Sequence, residues 1–86
     1  MEVHIVQKLY YPAIFHKAEE GGFWVSFPDF PECLSEGDDM KQTYEMASDA
    51  LSLAVSDRIK NKEKLPDPCR LNKIDTENEY LINVEL

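Results

Sequence analysis

The apolar residues of this sequence keep two different spacings, and the helical one occurs in a single long stretch. From Phe23 to Phe27 the chain alternates: Phe23, Val25 and Phe27 share one side, Trp24 and Ser26 the other, the period-two pattern of a half-buried strand. Lys8 to His16 is rich in aromatic and β-branched residues and reads as a preceding strand. Pro12 cannot donate to a ladder, so an edge or bulge is expected there. Lys17 to Gly22 is polar and closes on Gly21-Gly22, which predicts an antiparallel hairpin. Pro28-Asp29-Phe30-Pro31 breaks the pairing, and Glu32 to Glu36 follows as a third short strand with Cys33 and Leu34 on opposite faces.

The helical spacing then begins. Met40, Tyr44, Ala47, Leu51, Ala54 and Val55 form an apolar stripe, widened by Met46, Ala50 and Leu53. Asp39 is the expected N-cap and Gln42 completes a capping-box-like pattern. Asp38 and Asp39 gather at the start, and Arg58, Lys60, Lys62 and Lys64 near the end, as the helix dipole favours. The helix is predicted over Met40 to Asn61, terminated by Leu65-Pro66-Asp67-Pro68. Alternation returns from Glu79 to Leu86, with Tyr80, Ile82, Val84 and Leu86 on one face. The predicted class is α+β, in the order β-β-β-α-β: a mostly antiparallel sheet with one helix on one face.

With 86 residues there is one domain, spanning 1–86, and a chain this short buries only about 60–65% of its unfolded surface. That leaves little room for an elaborate substrate cavity. Nine Lys and Arg against seventeen Asp and Glu give a net charge of −8. Nucleic acid and anionic membranes are repelled by that balance, whereas a basic protein is attracted. Acidity can also serve solubility alone. The excess sits in residues 1–37 and in the tail after Leu65, while the middle is nearly balanced.

Met1 to Gln7 carries charge and no long apolar run, so neither a signal peptide nor a membrane span is expected. Cys33 and Cys69 match no zinc or redox spacing. The expectation is a cytoplasmic protein with reduced thiols and no metal or cofactor. His4 and His16 stand twelve positions apart, with no Ser or Cys in a recognisable nucleophile setting. A Cys33–His pair is conceivable, but cysteine is commonly a small buried hydrophobe. Trp24 is different, because a helix on one sheet face leaves it pointing away from the core. There it serves as an interaction anchor, or lies under a loop or in a homodimer contact.

Several runs, taken together, resemble the N-terminal signature of the HicB antitoxin family: Tyr11-Pro12-Ala13-Ile14-Phe15, Glu19-Glu20-Gly21-Gly22-Phe23 and Phe27-Pro28-Asp29-Phe30-Pro31-Glu32-Cys33. Ser35-Glu36-Gly37-Asp38, then Ala47 with Asp49-Ala50-Leu51, and Leu65-Pro66 extend the likeness over nearly the whole chain. The resemblance implies a partial ribonuclease-H-like fold and a type II toxin–antitoxin role. The partner would be a small basic HicA-like toxin, a ribonuclease with a required His that cleaves mRNA. Family members often continue into a DNA-binding domain, which is expected to be absent from these 86 residues.

Such a fold raises the question of nuclease chemistry. Two-metal catalysis needs converging carboxylates, usually one on the first strand. Lys8 to His16 holds no Asp or Glu, so the chain is expected not to be an enzyme. The expected partner contacts are Tyr11, Phe15, Trp24, Asp29, Glu32 and Glu36. The alternative is an orphan HicB-like domain that homo-oligomerises and binds another protein or a small ligand.

Overall fold

The computed structural model describes residues 10–69 and 79–86; His4 and the Lys8 start proposed for the first strand lie outside them. Four strands, β1 (Tyr10–Lys17), β2 (Phe23–Phe27), β3 (Phe30–Gly37) and β4 (Glu79–Glu85), and one helix, α1 (Met40–Lys60), follow the expected order. All neighbouring strands are antiparallel, in the spatial order β3-β2-β1-β4.

The hairpin closes on Gly21 and Gly22, both at positive φ (100° and 76°). Ala18 donates its N–H to the Gly22 carbonyl at 3.1 Å, and the Gly21 N–H returns to Ala18 at the same distance. β1 is an interior strand, flanked by β2 and β4. Pro12 is nevertheless tolerated, because the β1–β2 ladder covers only Ile14 to Lys17 and Pro12 pairs with Asn83 of β4 alone. Pro28 and Asp29 make a tight turn rather than a longer break. Phe27 pairs with Phe30, and Ser26 pairs with Leu34, so β3 bulges across Pro31 to Cys33. β3 therefore starts before the expected Glu32. The bulge lets both Phe30 and Cys33 face the core while Leu34 faces out.

α1 packs on one face of the sheet, chiefly over β3. Its buried side chains are Thr43, Ala47, Leu51, Ala54 and Val55. The stripe is narrower than expected and is displaced: Met40, Met46 and Leu53 are exposed, and polar Thr43 is fully buried. A helix resting largely on one strand presents a narrow line of contact, and small residues there bring the backbones close. Thr43 is compatible with burial because its Oγ1 donates to the Asp39 carbonyl at 2.6 Å.

Asp39 caps the helix, its Oδ1 accepting the Gln42 N–H at 2.7 Å, while Gln42 Oε1 accepts the N–H of Asp38 at 2.6 Å. The C-terminus forms before the prolines. Lys62 sits at φ 58°, its N–H bonds the Ile59 carbonyl, and the Glu63 N–H bonds the Arg58 carbonyl. This is a Schellman cap with lysine where glycine is usual. Between helix and sheet, Tyr11, Ala13, Phe15, Val25, Phe30, Leu51 and Val84 are at most 1% exposed and form the core.

Candidate functional site

The six residues expected to touch a partner separate into three settings. Phe15 is fully buried against the helix side of the sheet, so its role is packing. Tyr11, Asp29 and Glu32 belong to a clasp at one end of the molecule. The Tyr11 ring meets Phe30 edge-on at 4.8 Å, and its hydroxyl donates to the Pro66 carbonyl at 2.7 Å. Burial, with Asp29 and Asp67 nearby, raises the pKa of that phenol. Asp29 Oδ2 accepts the Cys69 N–H at 2.8 Å. Arg58 lies over the Phe30 ring at 4.4 Å and forks onto Glu32 through Nε and Nη2, at 2.9 and 2.8 Å. That hydrogen bonding holds the Glu32 carboxyl below the usual glutamate range. The clasp ties β3 to the end of α1 and to the segment after it, so buried Tyr11 is not a surface contact and Glu32 already has its partner.

Trp24 and Glu36 remain, and they stand side by side. Successive residues on paired strands fall into rows across the sheet, and on the face opposite α1 one row reads Glu36, Trp24, His16, Glu79. The next reads Leu34, Ser26, Ile14, Leu81. No described helix or strand covers this face, where Trp24 is 45% and Leu34 66% exposed. The Trp24 and His16 rings stack with centroids 3.7 Å apart and planes 12° from parallel. His16 Nε2 lies 2.9 Å from Ser26 Oγ, and Nδ1 lies 3.5 Å from Glu79 Oε2.

Motif spacing gives no sign of a role for His16. The signal was present in its position, since it alternates with core-facing Phe15 and must share a face with the outward residues of β1. Ser26, His16 and Glu79 stand in the order of a nucleophile relay, but acyl transfer also needs N–H donors aimed at an oxyanion. Ser26 lies mid-ladder, paired on both sides, and N–H groups of paired strands run in the sheet plane rather than above it. The network instead fixes His16 as a rigid support for Trp24. Burial raises the pKa of the Cys33 thiol, which keeps it a neutral packing residue. Among the described residues, no group of three or more His, Cys, Asp and Glu could hold a metal ion, and no helix is long and apolar enough to cross a membrane.

Beyond the exposed indole lie two shallow concavities. One, of about 740 Å³, opens past the hairpin and includes Glu20, Glu36 and Asp38 with Phe23, Trp24 and Met46. The other, of about 320 Å³, is formed by Trp24, Leu34, Ser35 and Glu36. Among the described residues, no cationic side chain lines either of them.

Residues 11–85 match the model of a family described as HicB_like antitoxin of bacterial toxin-antitoxin system. The chain is 44% identical over 64 residues to Antitoxin HicB 1 of Photorhabdus laumondii subsp. laumondii, covering 74% of this chain and 41% of that protein. It thus spans well under half of that relative. Among solved structures, a Toxin-Antitoxin complex from Streptococcus pneumoniae superposes with a TM-score of 0.77 at 21% identity, over 92% of this chain and 69% of the other. A HicA3 and HicB3 toxin-antitoxin complex gives 0.68 at 24% identity, over 87% and 94%. At these identities the likeness is one of fold.

Proposed function

This chain belongs to the HicB-like antitoxin family of bacterial toxin–antitoxin systems, and on that premise we propose that it binds a small basic HicA-type toxin and blocks its cleavage of mRNA. The reading rests on the sheet face that no described helix or strand covers, with its exposed indole and leucine flanked by carboxylates, on a chain of net charge −8. Aromatic anchors inside a charged rim suit a protein interface, and opposite potentials raise the rate of encounter. Occlusion needs no chemistry from the chain itself, so it acts by binding and not as an enzyme. The contacts proposed are Trp24, Glu36 and their neighbours on that face, in place of Tyr11 and Phe15.

Co-expression with the small basic gene beside its own tests the function. The expected result is restored growth and a complex that co-purifies. If no such protein binds while the chain self-associates in sedimentation, the reading as an orphan self-assembling domain replaces this one.

A further inference from the structure

We infer that the slot between Trp24 and Glu36 receives an arginine side chain of a basic polypeptide partner. This deepens the proposed function and rests on it for the partner's identity. His16 occupies one face of the Trp24 indole, which leaves the other face turned toward β3, where Glu36 is the cross-strand neighbour. Leu34 and Ser35 complete the walls. Glu36 is exposed and lines the slot, and among the described residues no cation pairs with its carboxylate. The neighbouring concavity adds Glu20 and Asp38, again with no cation among its described residues.

A planar guanidinium can lie flat on an aromatic ring while its N–H fork meets a carboxylate. An ammonium offers charge without the plane or the fork. The molecule already makes this arrangement internally, at the other end of the same strand. There Arg58 lies 4.4 Å over Phe30 and forks onto Glu32. Phe30 and Glu32 have their arginine from α1; Trp24 and Glu36 present the same pair of groups, aromatic and carboxylate, to the outside.

The test titrates the chain with capped hexa-arginine and hexa-lysine peptides at matched ionic strength, by calorimetry and by the fluorescence of Trp24, the sole tryptophan. Hexa-arginine is expected to bind about three- to fivefold tighter and to perturb Trp24 emission. Glu36→Gln should remove most of that preference. Glu19→Gln removes the same charge outside both concavities and should leave it intact. Equal affinities for the two peptides, or equal losses from the two substitutions, would overturn the slot.

The peptide titration needs no toxin, so its outcome does not depend on the antitoxin reading. A toxin complex whose affinity is unchanged by both Glu36→Gln and Trp24→Ala overturns the slot and leaves that reading standing. Absence of any toxin complex with the unmodified chain removes the reading, and the peptides still decide the slot.

Discussion

Gly37 sits where the last residue of β3 passes beneath the first turn of α1. A Cβ there would stand 2.5 Å from Thr43 Oγ1 and 2.6 Å from its backbone N, and the hydroxyl is pinned by its bond to Asp39. Neither neighbour can yield cheaply, so Gly37→Ala should cost about 1–3 kcal/mol in urea unfolding. Gly21→Ala, with open space around its Cβ but φ at +100°, should cost about 1 kcal/mol through backbone strain alone. Glu32 supplies a pH dependence with a definite sign. Its carboxyl titrates lower in the folded chain than in the unfolded one because of the bond from Arg58. The stabilisation is therefore complete above the ordinary glutamate pKa and is lost as pH falls through the folded value. In Glu32→Gln the loss of stability between about pH 5 and 3 should be shallower than in the parent. The difference is small, since the Glu32 side chain is about half exposed and water screens the pair. An unchanged acid limb would show that the pair contributes nothing to stability.

At the scale of elements, helix and strands were largely legible because local patterns dictate them. Asp39 and Gln42 announced the N-terminus, and the cap is present as read. Asp39→Ala should lower stability by about 0.5–2 kcal/mol. The end expected at Asn61 is the observed C-cap, but a left-handed Lys62 closes the helix there, ahead of the prolines. Since that conformation penalises a Cβ, Lys62→Gly should stabilise the chain by about 0.5–1 kcal/mol after the entropy that glycine adds to the unfolded state. A thermal midpoint that falls instead would refute this account of the cap. Periodicity alone placed Leu51 and Leu53 in the same apolar surface, yet one is fully buried and the other 68% exposed. Leu51→Ala should cost about 2–5 kcal/mol, and Leu53→Ala no more than about 0.5 kcal/mol. The width of the buried stripe depends on how a helix rests on its sheet, and no helical wheel contains that.

For the whole molecule, charge and topology act together. The net charge of −8 should make association with a basic partner faster at low salt. Stopped-flow mixing between about 0.05 and 0.5 M salt should show the on-rate falling by about tenfold or more, with a weaker change in dissociation. The sequence by itself determined the order β-β-β-α-β, the hairpin, the helix cap and the outward side of Trp24, since these follow from neighbours within a few residues and from strand alternation. Only the tertiary structure decided which acids remain available. Glu32 and Glu36 lie four positions apart on one strand, yet Arg58, twenty-six residues beyond Glu32, takes the first, and no described cation pairs with the second. Likewise His16 came to back Trp24 through the register of β1 against β2. Local pattern sets the face on which a side chain emerges; long-range pairing sets what stands beside it, and on this sheet that neighbour separates a structural clasp from an open slot.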